Sequence, residues 1–130
     1  MIAIDACVLA NAIGDDGVDG KLARNELRAA GDIVAPDLVN VETVAVLRKR
    51  WLAKTITQRR LACAIEDLES IDIDRYPILP LMRRAYELRS KMTPSDATYV
   101  ALAEILNCEL LTSDRRLAQV SGPLCRIRVL

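Results

Sequence analysis

The run Ser95-Asp96-Ala97-Thr98-Tyr99-Val100-Ala101-Leu102-Ala103-Glu104-Ile105-Leu106 is apolar nearly all the way round a helix, and the short apolar run Glu109-Leu110-Leu111 follows almost at once. A helix with so little polar surface must be covered on most sides, so it belongs at the centre of the molecule. Met1-Ile2-Ala3-Ile4 is a second short apolar run, too brief for a helix and continuous enough for a strand buried on both faces. A buried helix and fully buried strands in one chain point to a layered α/β domain with a mainly parallel sheet.

The rest of the chain fits that plan. Gly14 to Gly20 reads as a loop and Lys21 to Ala30 as an amphipathic helix with Leu22, Ala23 and Leu27 inward. Asp32-Ile33-Val34-Ala35 makes a strand, Pro36-Asp37 leads into a helix from Leu38 to Ala53, and Thr57 can cap a helix from Gln58 to Leu68 whose inward stripe is Leu61, Ala62, Ile65 and Leu68. Ile71-Asp72-Ile73-Asp74 alternates as a half-buried edge strand does. Pro77 and Pro80 then break the chain before a helix from Leu81 to Met92. Arg115 to Val120 reads as a short helix, and Gly122-Pro123 turns into a last strand, Arg126 to Leu130. No repeat and no linker divides residues 1–130, which are read as one domain of a size that buries roughly two thirds of its unfolded surface.

Four acids stand where this plan would gather them. Asp5 closes the first strand, at the edge where open parallel sheets bind ligands, and could equally cap the next element. Glu42 has Leu38, Val39, Ala45 and Val46 one turn away on either side, so it lies on an apolar face. A carboxylate there needs a metal ion or a buried arginine as partner. Asp96 falls at the third position of a helix that Thr93 can cap and Pro94 can begin, where it can close a capping box, bind a metal, or do both. Asp114 follows the strand as a cap for the next turn or as a fourth ligand.

Composition narrows the chemistry. The chain has no histidine, which removes histidine general bases, histidine zinc ligands and the nucleophile–histidine dyads. Carboxylates are left. Unit charges about 5 Å apart repel by roughly 3 kcal/mol at an effective dielectric near 20, so four clustered acids call for a divalent counter-charge. All-oxygen ligation suits Mg2+ or Mn2+. Eighteen basic and eighteen acidic residues cancel, and with no Phe, one Trp and three Tyr there are few rings to stack on bases. A nucleic acid would be held locally through its phosphates, with Arg48, Lys49, Arg50, Arg83, Arg84, Arg115 and Arg116 as the basic groups able to set its path. Cys7, Cys63, Cys108 and Cys125 are scattered without a Cys-x-x-Cys pair, and no secretory leader or membrane-length apolar run is evident, so a soluble cytoplasmic protein with reduced thiols is expected.

Taken together, Met-Ile-Ala-Ile-Asp5, Pro36 to Glu42 with Leu47-Arg48, Ser95 to Ala103 and Leu111 to Leu117 resemble the PIN-domain ribonucleases, specifically the VapC-type toxins of bacterial and archaeal toxin–antitoxin pairs. The resemblance covers essentially the whole chain. It implies a three-layer fold with a parallel five-stranded sheet flanked by helices, Mg2+- or Mn2+-dependent endoribonuclease activity on RNA, a homodimer, and neutralisation by a small antitoxin. By motif, Asp5, Glu42 and Asp96 correspond to the three central acids, Asp114 to the more variable fourth, and Thr112 or Ser113 to the hydroxyl beside it. Cys7 departs from the Ser or Thr usual there. A non-catalytic PIN-like binding module and a metal-dependent DNA nuclease are the competing readings.

Overall fold

The apolar runs become five short strands in the computed structural model, which describes residues 1–130. In chain order the elements are β1 (Ile2–Ile4), α1 (Ala6–Gly14), α2 (Val18–Ala29), β2 (Ile33–Pro36), α3 (Leu38–Leu52), α4 (Gln58–Ser70), β3 (Asp74–Tyr76), α5 (Met82–Glu87), α6 (Pro94–Ile105), β4 (Glu109–Thr112) and β5 (Ile127–Val129). Single 3-10 turns cover Leu79–Leu81 and Leu117–Gln119. Every strand pair is parallel and the order is β3-β2-β1-β4-β5. The expected α/β architecture with a five-stranded parallel sheet is what the chain adopts.

Parallel neighbours require crossovers, and right-handed crossovers fix the layers. The chain moves outward from β1 through β2 to β3, which puts α1 to α4 on one face. It then passes back over β1 to β4, which puts α5 and α6 on the other. α6 packs on β1, β2 and β4 and against α5. Ala97 to Ala103 are all buried, so α6 is the central helix its composition demands. Ile105, in its last turn, faces solvent instead. The core includes Ile4, Val8, Leu9, Val34, Leu47, Val100, Leu110 and Leu111.

Several boundaries differ from expectation. The loop after α1 spans only residues 15–17, because Asp15 folds back to accept from the Gly17 and Gly20 N–H groups and so starts α2 at Val18, three residues earlier than Lys21. α2 buries Gly20, Ala23 and Leu27 but turns Leu22 outward. α4 runs to Ser70 and buries Ala64 and Leu68, leaving Ala62 exposed; its Thr57 cap accepts from Arg60 N–H as expected. Because α4 is longer, Ile71 and Ile73 close its end onto the core and the edge strand starts only at Asp74. α5 stops at Glu87, five residues short of Met92, and turns through Leu88 and Met92 carry the chain to Pro94.

Candidate active site

The strand order reverses direction at β1, since β2 lies to one side and β4 to the other. The carboxyl ends of β1 and β4 at such a switch point form the crevice where open α/β sheets take ligands. Asp5 ends β1 and Thr112 ends β4. Asp5 N–H donates to the Leu111 carbonyl at 3.2 Å, which ties the two ends together.

Asp5 both caps α1 and faces the crevice. Its Oδ1 accepts from Val8 N–H at 2.9 Å, and its Oδ2 accepts from the Thr112 hydroxyl at 2.5 Å. Burial raises its pKa, opposed by the Thr112 and Val8 donors and reinforced by the charge of Asp96. The Thr112 hydroxyl oxygen accepts in turn from Asp114 N–H at 2.9 Å, so one buried threonine links the first acid to the fourth. Of the two hydroxyls singled out by resemblance, Thr112 is the one bonded to an acid. Ser113 Oγ instead accepts from Asn11 Nδ2 at 3.4 Å.

Asp96 sits at the start of α6, where its N–H donates to the Thr93 hydroxyl at 3.2 Å and Pro94 begins the helix. Its carboxyl is raised above its ordinary value, first by burial and then, against the Thr93 hydroxyl, by the charges of Asp114 and Glu42. Glu42 lies half-buried at the margin of the α3 face that buries Val39, Thr43 and Leu47. No arginine pairs with it. Its Oε2 accepts from the Tyr99 hydroxyl at 2.5 Å, and Tyr99 comes from α6, one turn beyond Asp96. Burial, then Glu42 itself, pushes the Tyr99 phenol far up, so it remains a donor.

Asp114 is the exception. Its carboxylate accepts from the Arg116 backbone N–H at 2.8 Å and from the Arg116 guanidinium at 3.0 Å, and these bonds hold its pKa below the usual carboxylate range. It is therefore a cap and half of an ion pair, at the rim. Asp5, Glu42 and Asp96 have no ion-pair partner.

This donor set fits a hard divalent cation. It is all oxygen, it comes from three elements, and its two aspartates, Asp5 buried and Asp96 half-buried, have raised pKa values that an added positive charge would relieve. As the side chains stand, no three acids or thiols are close enough to hold an ion by themselves. Mg2+ and Mn2+ usually keep waters and phosphate oxygens in their shell, which suits so open a set. Cys7, beside Asp5, is half-buried with its thiol pKa raised by burial and then by Asp5. A cleft of about 490 Å³, lined by residues of α1, α2 and α4 such as Ile13, Leu27 and Asp67, contains none of the four acids.

Two supporting residues escaped the sequence reading. Tyr99 fixes Glu42, and the signal for it was a phenol in a helix buried nearly all round, which must find an acceptor. Buried Asn11 accepts from Arg50 at 2.5 Å while donating to Ser113, but nothing local in the sequence marks it. Of the basic groups named above, Arg50 is thus committed to Asn11, and Arg84 to Glu87 and Glu104.

The model of the PIN domain matches residues 2–123. Ribonuclease VapC9 of Mycobacterium tuberculosis is 33% identical over 129 residues, 99% of this chain and 98% of its own length. Ribonuclease VapC12 of the same species is 34% identical over 123 residues, 94% of this chain and 93% of its own. Among solved structures, M. tuberculosis VapC20, described as a sarcin-ricin loop cleaving toxin, superposes with a TM-score of 0.72 at 16% identity over 92% of this chain and 94% of that one. A protein from Pyrobaculum aerophilum gives 0.69 at 19% identity, covering 97% of this chain and 81% of that one, and like the first it speaks to the fold alone. With a family model over residues 2–123 and relatives about a third identical over 94–99% of its length, this chain belongs to the PIN-domain family, among its VapC proteins.

Proposed function

We propose that the chain is an endoribonuclease that works with Mg2+ or Mn2+ and serves as the toxin of a toxin–antitoxin pair. The observation that carries this reading is the set of three acids, Asp5, Glu42 and Asp96, gathered at the switch point without cationic partners, the two aspartates with pKa values raised by burial and by neighbouring acids. The names of the VapC relatives support RNA as the polymer. A divalent cation held by these carboxylates supplies positive charge that lowers the pKa of a water and offsets charge on the attacked phosphate. The chain's own part is positioning. Thr112 and the Val8 N–H fix the two oxygens of Asp5, Tyr99 fixes Glu42, and the Thr93 cap sets the helix start from which Asp96 projects. Asp114, as the fourth ligand, stands at the rim with Arg116 beside it.

Cleavage of matched RNA and DNA strands, titrated with Mn2+, tests the reading. RNA cut only with the ion, and DNA left intact, supports it. DNA cut equally well makes the chain a general nuclease, and an ion-binding protein that cuts neither strand is a binding module. The same reading includes a homodimer, a cytoplasmic location and a small cognate antitoxin, for which α4 and the segment before it form part of the groove. No helix is long and apolar enough to cross a membrane. Co-expression with the product of a neighbouring small reading frame should give a complex that survives purification, and two soluble chains that never co-purify remove the partner.

A further inference from the structure

Away from the acids, the amino ends of β4 and β5 hold two thiols. The strands pair in parallel with Leu110 opposite Ile127 and Leu111 opposite Arg128. Carried two residues back, that register sets Cys108 opposite Cys125, and Leu110 N–H donating to the Arg126 carbonyl at 2.9 Å extends the pairing to the residue after Cys125. Both cysteines lie just outside the ladder, Cys108 one residue before β4 and Cys125 in the bend two residues before β5. Both pack against the core. Neighbouring strands lie about 5 Å apart, inside the ~4.4–6.8 Å between Cα atoms that a disulfide needs. Both thiols line one cleft of about 430 Å³ with Ala103 and Glu104, and both are free.

The carboxylates of this cleft are already engaged. Glu104 accepts from Arg84 at 2.8 Å and from Leu124 N–H at 2.7 Å, and Glu109 accepts from Arg128 at 2.9 Å. No metal set forms there. The Cys125 thiol has only a weak partner, the Val100 carbonyl at 3.9 Å.

We propose that Cys108 and Cys125 are a redox-closable pair: oxidation bonds one Sγ to the other, staples the amino ends of β4 and β5, and turns residues 108–125, which carry Thr112, Ser113 and Asp114, into a covalent ring. A low-molecular-weight disulfide such as oxidised glutathione is the oxidant. The thiolate of one cysteine attacks a glutathione sulfur and expels a glutathione thiolate. The second cysteine's thiolate then attacks the protein sulfur of that mixed disulfide and expels the other. The two protein thiols lose two electrons and two protons, and glutathione disulfide gains them as two thiols.

Charged groups face the pair from each neighbouring element: Glu104 from α6, Arg84 from α5, Glu109 beside Cys108, Arg126 before β5, and the amino terminus. Burial, then Glu104, pushes the Cys125 thiol up to about 11, and burial raises Cys108 as well. Closure is therefore slow at neutral pH and accelerates by roughly tenfold per pH unit while the thiolate fraction limits it. The pair lies at the end of β4 remote from the acids. Closing a loop of this length restricts the unfolded chain and raises Tm by roughly 10 °C.

The proposal does not depend on the nuclease reading. Full-length protein with Cys63→Ser, which removes the exposed thiol, is equilibrated with oxidised and reduced glutathione at mildly alkaline pH, digested without reduction, and mapped by mass. The expected result is a peptide pair joined through Cys108 and Cys125, an intact mass lower by two hydrogens, and a rise in Tm that reduction reverses and Cys125→Ala abolishes. A cross-link between other cysteines, Cys108 held only as a mixed disulfide with Cys125 still alkylatable, or a pair that stays reduced at the most oxidising ratio overturns it. The digest decides on the parent protein, whether or not the variant folds.

Discussion

Asp96 holds two positions at once, one in the cap of α6 and one beside Glu42 and Asp114, and an amide at that place separates them. Asp96→Asn should abolish RNA cleavage while leaving the metal-free protein as stable as the parent or more so, because it removes like-charge repulsion and Asn is tolerated at a helix start. Melting temperature in EDTA beside Mn2+-dependent cleavage checks this, and a destabilised but active variant would reduce Asp96 to a cap. Tyr99→Phe keeps the buried ring but removes the donor to Glu42. The expected outcome is a loss of about 1 kcal/mol in stability and roughly tenfold weaker apparent Mn2+ affinity, read by thermal shift. The acids themselves were legible in the sequence because chemistry restricts which residue types can do the work. Their supports were not, since Tyr99 reaches Glu42, and Asn11 reaches Ser113, across large sequence separations that only the finished fold closes.

Elements were legible in kind and order wherever apolar periodicity ran long, as in α3, α4 and α6, and at caps such as Thr57 and Thr93 whose hydroxyls accept the expected N–H groups. Boundaries set by competition between neighbours were not. The alternation of Ile71 to Asp74 suits a strand, yet α4 claims the chain as far as Ser70 and Ile71 N–H still donates back to Asp67, so pairing with β2 begins at Asp74. α3 carries an inefficiency of its own. Thr43 is fully buried and its hydroxyl has no hydrogen-bond partner. Thr43→Val keeps the β-branch and removes the unpaired oxygen, and should stabilise the protein by about 1 kcal/mol in chemical denaturation without changing cleavage. A destabilised Val variant would mean that the hydroxyl is satisfied in solution.

At the scale of the whole molecule, acid tolerance follows from a few pairs. Burial disfavours the Glu104 carboxylate, but the Arg84 guanidinium and the Leu124 N–H outweigh it and hold its pKa below the usual 4.5. A folded pKa below the unfolded one stabilises the protein above about pH 4.5, and that contribution is lost as the pH falls through the folded value. Asp5 and Asp96, both raised, act in the opposite sense in the metal-free protein, their contribution growing as the pH falls through their folded values toward the ordinary 3.8. In EDTA, stability should therefore peak on the mildly acidic side, and Glu104→Gln should flatten the decline at lower pH. Melting temperature across pH 3 to 8 measures both limbs; an unchanged low-pH limb in the Gln variant would assign it to other acids. The sheet has one further consequence. Its two borders, β3 and β5, are three residues each and carry Asp74, Arg75 and Arg128. Borders so short and charged give an extended peptide little to zip onto, so a protein that binds this one must read the relief of its side chains along the helices and cannot simply continue the ladder.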